Sequence, residues 1–179
     1  MLKALRRAAE RRRTASELAI AIVRRGLSPS FYRLWAVPDT FNGRFDMVSL
    51  HAFLVLSALE READRDLSQE LVNALFHSFE DALRDQGAGD MGMTRRIQKI
   101  AGAFYGRLEA YRGASSREEV VGVLLRNLYG QDESFQPQAR ALAAYMEQAR
   151  DGLKPDALVA GRAEFGPLPD GARYEDDRT

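Results

Sequence analysis

Residues 31–56 decide the fold of this chain, and they read FYRLWAVPDTFNGRFDMVSLHAFLVL. The segment holds the only tryptophan, Trp35, and a polar turn that starts at Pro38. From Arg44 to about Asp64 the chain is apolar almost all round, which predicts a long helix at the centre of a bundle. Three uses of this segment are open: a catalytic loop, a metal or haem site around His51, and a partner-binding edge on a core helix.

The remainder of the chain also shows the helical period of apolar residues, and no stretch of useful length alternates as a strand does. We therefore predict an all-α, single-domain helical bundle of about six to eight helices. Its expected parts are a basic arm or helix (1–17), a helical domain (18–152), and a short helix with a mobile polar tail (153–179). The predicted helices cover residues 2–25 as one or two helices, 29–35, 44–64, 68–84, 94–111, 115–129, 137–152 and a short stretch from 155. Turns or loops are expected at 42–43 and 86–93, and the tail is expected to begin at 165.

Composition excludes several classes of protein. The chain has 179 residues, 45% of them hydrophobic, and a net charge of zero at pH 7. It contains no cysteine, so disulfides, thiolate catalysis and cysteine-based zinc or iron–sulfur sites are excluded. The longest run without a charged residue, 47–59, is shorter than the roughly 18 apolar residues that a membrane-spanning helix needs. We expect a soluble protein with at most a peripheral membrane attachment.

Positive charge is concentrated at the N-terminal end. Residues 1–25 carry eight Arg or Lys and two Glu, a net charge of +6, whereas the rest of the chain is mildly acidic. A basic amphipathic segment favours an anionic membrane surface or RNA, and an ordinary solvated helix is an equally good interpretation. The body is too acidic for us to expect a DNA partner. The candidate membrane-surface residues are Arg6, Arg7, Arg11, Arg12 and Arg13.

Catalytic motifs are missing from the sequence. It has no GxSxG elbow, no P-loop and no glycine-rich dinucleotide fingerprint. His51 and His77 fall on consecutive predicted helices, so a small helical enzyme or haem-binding protein is an alternative. We favour a core position for His51, because the sequence shows no supporting residues for a ligand pair. The prediction is a protein that is not an enzyme and that has no cofactor and no metal.

The polar turn VPDTFNGRFD (37–46) allows two interpretations. Its side chains can cap the central helix, with Asp46 favourably placed in the first turn. Alternatively, Trp35, Asp39 and Arg44 form a surface that a partner reads, because Trp and Arg are enriched at binding hot spots.

Two segments together resemble the ubiquinol–cytochrome c chaperone family. They are residues 31–56 and the later ALRDQGAGDMGMTRRIQKIAGAFYGRLEAY (82–111), and the resemblance spans about 18–130. Ala36 stands where the family carries glycine. The positions that match the family motifs are Phe31, Tyr32, Val37, Pro38, Asp39, Thr40, Gly43, Arg44, Phe45, Asp46, Leu83, Arg84, Gly87, Gly89, Asp90, Arg95, Phe104, Tyr105, Gly106, Arg107 and Leu108.

This resemblance implies an all-helical, non-enzymatic assembly factor of the cytochrome bc1 complex. Its implied partners are newly made cytochrome b or another bc1 subunit, together with a small co-chaperone. Its implied location is the cytoplasm, peripheral on the inner membrane, or the matrix side in a mitochondrion. A membrane- or RNA-docked scaffold remains a further alternative. The candidate partner-binding residues are Trp35, Asp39, Thr40, Arg44, Asp46, Arg84, Asp90, Arg95, Tyr105 and Arg107.

Overall fold

The computed structural model describes residues 2–61, 64–85 and 90–168, with the backbone alone at 2, 90 and 91. These ranges contain eight α-helices, one short 3-10 helix at Glu133–Phe135, and no strand. The prediction of an all-α single-domain bundle is confirmed. The helices are α1 (Leu2–Gly26), α2 (Pro29–Leu34), α3 (Phe41–Arg61), α4 (Arg65–Asp85), α5 (Asp90–Gly113), α6 (Arg117–Leu128), α7 (Gln136–Gly152) and α8 (Pro155–Val159).

Helix α3 is the centre of the bundle. It packs against α1, α4, α5, α6, α7 and α8. Its side chains are buried on nearly every face, including the polar residues Asp46, Ser49 and His51. Burial of apolar side chains stabilises a fold, and α3 carries such side chains on every face. The sequence of α3 therefore requires neighbouring helices on all sides.

Helix α1 is a single helix that lies against α4 and α3. Ala15, Leu18 and Ile22 are buried along one face. Of the two expected arrangements, one or two helices, the single helix is found, and it keeps these three residues on that face. The helix ends at Gly26, where a Cβ atom would lie 3.0 Å from the backbone nitrogen of Val48. Glycine therefore lets the end of α1 approach the backbone of α3.

Two predicted boundaries are wrong by a few residues. Asn42 and Gly43 were expected in a turn but lie in the first turn of α3. Their backbone is helical because Thr40 caps the helix three residues earlier than the apolar run suggests. The predicted loop 86–93 is helical from Asp90 onward, and residues 86–89 lie outside the described ranges.

Ser116 and Glu119 cap the start of α6. Ser116 accepts a hydrogen bond from the backbone nitrogen of Glu119 at 3.2 Å. In return, the Glu119 carboxylate accepts from the backbone nitrogen of Ser115 at 2.7 Å. The two orphan amides at the start of α6 are thereby satisfied.

The segment after α8 begins as part of the core rather than as a tail. Phe165 is buried, although the residues around it are exposed. Residues 169–179 lie outside the described ranges. Within the described ranges, no helix is both long enough and apolar enough to cross a membrane.

Candidate binding groove at the polar turn

The polar turn has a fixed shape, and two residues explain it. Thr40 Oγ1 accepts a hydrogen bond from the backbone nitrogen of Gly43 at 3.1 Å, which is an N-cap bond to the third helical position. A Cβ atom on Gly43 would lie 2.0 Å from the carbonyl oxygen of Pro38. Only glycine permits this approach, so the motif glycine serves to fold the turn back onto the start of α3.

Asp39 and Arg44 form an ion pair on the outside of this turn. Arg44 Nε donates to Asp39 Oδ1 at 2.7 Å, and both side chains are more than half exposed. The hydrogen bond from Arg44 lowers the pKa of Asp39 below its usual value. Exposed ion pairs add little to stability, so this pair is dispensable for folding and available for recognition.

A groove of about 490 Å³ opens beside the ion pair. Asp39, Thr40 and Arg44 form its polar edge, and Ser78 and Asp85 contribute further polar groups from α4. Apolar side chains of α1, of the residue that follows it, of α3 and of α4 form the rest of the lining. These side chains are Val23, Leu27, Phe41, Phe45, Val48, Phe79 and Ala82. A groove with an apolar lining and a charged edge suits an apolar helix or extended segment of another protein.

A buried ion pair supports the groove from behind. Asp46 on α3 is 2% exposed and pairs with Arg107 of α5. The guanidinium of Arg107 lies 5.1 Å from the centre of the Phe45 ring. That ring also packs against the ring of Phe79, with 5.3 Å between the two ring centres. Burial raises the pKa of Asp46, and the charge of Arg107 opposes that rise. The pair holds α5 against α3 and fixes the position of Phe45, which lines the groove.

Asp46 and Trp35 are therefore too deeply buried for a partner to contact them directly. Trp35 is 8% exposed and packs against the rings of Phe31 and Tyr145, at 5.7 and 5.9 Å. Its carbonyl accepts a hydrogen bond from the Tyr129 hydroxyl at 2.8 Å. The expected surface of Trp35, Asp39 and Arg44 is corrected accordingly: the tryptophan belongs to the core because α2 turns its apolar face inward.

Ala36, which stands where the resemblance implies glycine, has a backbone conformation that favours glycine. Its φ angle is +50°, in the left-handed region that residues with a Cβ atom adopt at a cost.

Of the remaining candidate residues, those whose side chains the structure describes do not line this groove. Arg84 is exposed and pairs with Asp81 on its own helix at 3.5 Å. Arg95 is exposed on α5, and the side chain of Asp90 lies outside the described part of the chain. Tyr105 is 52% exposed and stacks on Phe76, beside a separate groove between α4 and α5.

Part of the basic charge of α1 is used inside the molecule. Arg11 pairs with Asp66 of α4 at 2.8 Å, and Arg12 approaches Glu70 at 3.9 Å. Arg13 approaches Glu17 within α1 itself. Arg6 and Arg7 are exposed, which leaves them available to an anionic surface.

The two histidines lie in different environments. His51 is fully buried, and its Nδ1 donates to the carbonyl of Met47 at 2.7 Å. Since a carbonyl only accepts, Nε2 is unprotonated and accepts from the Tyr145 hydroxyl at 2.8 Å. Burial lowers the pKa of His51 to about 3. Both ring nitrogens are therefore occupied, as expected of a core histidine.

His77 is on the surface, 3.9 Å from Glu80, and does not face His51. Among the residues that the structure describes, no group of His, Asp and Glu side chains could hold a metal ion.

Comparison with known proteins identifies the class to which this fold and groove belong. A model of the ubiquinol–cytochrome C chaperone family matches residues 33–165. A solved structure, described as the Cbp3 homolog from Brucella abortus, is similar over 93% of this chain and 97% of its own, with 33% sequence identity and a TM-score of 0.79. None of the curated proteins matches the chain. The chain belongs to the ubiquinol–cytochrome c chaperone family.

Sequence reasoning identified the polar edge of the groove but not its apolar lining. Val23 comes from the end of α1, Leu27 follows that helix, and Phe79 and Ala82 come from α4. Their spacing indicated only that each helix has an apolar face. Helix packing alone brings these faces to one groove.

Proposed function

We propose that this protein is a non-enzymatic chaperone that binds newly made cytochrome b while the ubiquinol–cytochrome c reductase complex is assembled. The observation that carries the proposal is the family match, which covers residues 33–165 and thus the polar turn and every helix that follows it. The similarity to the Cbp3 homolog supports the same class of activity.

The groove at the polar turn is the proposed client site. Its apolar lining can cover an apolar segment of the client that would otherwise meet water or another copy of the client. Its edge presents one negative and one positive charge, Asp39 and Arg44, which can select the ends or flanks of that segment.

Binding and release need no chemical step in this scheme. The sequence has no nucleotide-binding motif, so release follows from competition by haem insertion or by assembly partners. The client is a subunit of a membrane complex, and we infer that the protein acts next to the membrane that receives it. The exposed Arg6 and Arg7 at the start of α1 are the residues we propose to face anionic lipid there.

The test is capture of the client in the native host. The tagged wild-type protein should enrich cytochrome b, and Asp39→Arg should abolish this enrichment. The variant places two positive charges at the edge of the groove. It should fold, because the pair that it removes is exposed.

Glu118→Arg is the matched control. Glu118 pairs with Arg140 between α6 and α7, is equally exposed, and is not among the residues that line the groove. It should capture the client as the wild type does. If the wild type enriches no bc1 subunit, the proposed function is wrong. If Asp39→Arg and Glu118→Arg capture equally, the groove is not the client site.

A further inference from the structure

Residues 162–168, which we call the strap, are held to the bundle at very few points. Phe165 is 5% exposed, whereas Glu164, Gly166, Pro167 and Leu168 are exposed. The segment forms no helix or strand after α8. Its hold on the bundle thus depends on the buried ring of Phe165, the partly buried Ala163 and a few backbone contacts.

The buried ring of Phe165 lies between a histidine and an arginine. Its centre is 5.1 Å from that of His51, edge to face, and 5.9 Å from the guanidinium of Arg25. Arg25 Nη2 also donates to the carbonyl oxygens of Gly166 and Pro167, at 2.9 and 2.6 Å. Arg25 therefore contacts both the aromatic ring and the two backbone carbonyls that follow it in the chain.

The walls around Phe165 are held together without the strap. Arg25 Nε donates to the Tyr145 hydroxyl at 2.8 Å, Tyr145 donates to His51, and His51 donates to Met47. The rings of Phe31 in α2 and of Trp35, which follows α2 directly, pack against Tyr145. His51, Tyr145 and the Nε group of Arg25 each have a partner other than the strap, so removing the strap leaves a formed pocket in which only Arg25 Nη2 of this relay loses its hydrogen-bond partners.

The strap meets the opposite side of the pocket through its backbone. A Cβ atom on Gly152 would lie 2.8 Å from the carbonyl oxygen of Glu164. A chain that is neither helix nor strand can pass over the end of α7 here only because residue 152 is glycine. The site thus accepts a stretch of non-helical backbone as well as an aromatic ring.

We infer that this pocket is a second binding site, which takes a non-helical segment carrying an aromatic side chain, and that Phe165 occupies it as an internal competitor. Peptide recognition commonly combines backbone hydrogen bonds with a pocket for one side chain, and the strap shows both. The source of the competing segment is the client, and this point alone rests on the proposed function. The strap then leaves the pocket when the client segment binds there.

A peptide with the strap sequence RAEFGPL tests the site on the full-length chain. Phe165→Ala empties the pocket, and this variant should bind the fluorescently labelled peptide at least tenfold more tightly than the wild type does. In the wild type the tethered Phe165 competes at an effective concentration in about the millimolar range. Emission from Trp35, the only tryptophan, should change on binding, because its ring packs against Tyr145 in the pocket wall.

Two matched controls define the recognition. The peptide RAEAGPL should not bind the Phe165→Ala protein, since it lacks the ring. Adding Arg25→Gln to that protein should weaken binding of RAEFGPL at least fivefold, since the carbonyls of the peptide lose their donor. A folded Phe165→Ala protein that binds both peptides alike, or neither, would overturn the inference.

Thiol labelling measures opening of the strap directly, because the chain contains no cysteine. The single thiol of Phe165→Cys should react by local opening, at least a hundredfold faster than the thiol of Leu50→Cys at a buried position in the middle of α3. If both thiols react only when the whole molecule unfolds, the strap is a fixed part of the core and cannot be displaced. Failure here leaves the client capture experiment unaffected, so the two proposals can fail separately.

Discussion

His51 shows how a single residue acquires its role from its surroundings. It lies on the central helix, where burial removes the water that would stabilise its charged form. The backbone of Met47 and the hydroxyl of Tyr145 satisfy both of its nitrogens. The neutral ring is therefore a structural part of the core, beside the positively charged Arg25, which lowers the pKa of His51 further.

The buried neutral His51 makes stability depend on pH. Its pKa is about 3 in the folded chain and 6.5 in its ordinary state. Between these values the unfolded chain binds a proton that the folded chain excludes, so stability is lost as pH falls below about 6.5. The slope approaches about 1.4 kcal/mol per pH unit for one such group. Urea denaturation between pH 7 and 5 should show this slope in the wild type.

His51→Gln should flatten the slope, because glutamine cannot titrate. The comparison is between slopes, so a lower absolute stability of the variant does not affect it. His77→Gln removes the exposed histidine instead and should keep the wild-type slope. Equal slopes for the wild type and His51→Gln would show that His51 does not govern this pH range.

At the scale of the element, the start of α3 depends on a close approach of two backbones. Gly43 lies in its first turn, against the carbonyl of Pro38, while Thr40 caps the helix. Asp46 then attaches the same helix to α5 through Arg107. Breaking a buried ion pair from one side leaves an uncompensated charge, so this attachment also constrains how the two helices can shift.

Gly43→Ala should destabilise the protein even though alanine favours helices. The new Cβ atom would lie 2.0 Å from the Pro38 oxygen, so the turn must move. We expect a loss of about 2–3 kcal/mol, in the range of backbone strain and overpacking. Because the turn carries Asp39 and Arg44, client capture should fall as well. Urea denaturation and the capture assay measure the two effects.

Gly102→Ala is the matched control within α5. No atom lies within 4 Å of the position that its Cβ would take. The substitution should stabilise the helix by about 1 kcal/mol, the usual difference between the two residues. If Gly43→Ala were also stabilising, the close approach to Pro38 would not determine the shape of the turn.

On the scale of the whole molecule, α1 is part of the same packing unit as the rest of the bundle. Its buried face contributes Ala15, Leu18, Ala19 and Ile22 to the common core. Its far end supplies Arg25 to the pocket around Tyr145. Residues 2–17 form the first two-thirds of this one helix, and the expected boundary of a basic arm or helix at residue 17 stays a prediction.

Leu18→Ala should lower the stability of the entire protein. Leu18 is completely buried, and truncating such a residue typically costs about 2–5 kcal/mol. Helix content and Trp35 fluorescence should be lost together on unfolding, because a single core unfolds cooperatively. Leu5→Ala, at a position that is 61% exposed on the same helix, should change stability by less than about 0.5 kcal/mol. Loss of helix content ahead of the fluorescence change would show that α1 unfolds separately.

The sequence by itself determined the helical class, the central position of α3 and the importance of the polar turn. Each of these depends on local information: the period of apolar residues, the capping residues, and the order of Pro38, Asp39 and Thr40. The residues of two motif segments also indicated the family to which the chain belongs, which the comparisons confirmed.

Only the tertiary structure decided which of these residues face water. It buried Trp35 and Asp46, left Asp39 and Arg44 exposed, and joined Val23 and Phe79 in one groove. It also placed Phe165, in a segment that reads as a polar tail, against His51 more than a hundred residues earlier in the chain. The reason is physical. Helical periodicity states that a face is apolar, but the contacts of that face depend on how distant helices cross, and no local pattern encodes that.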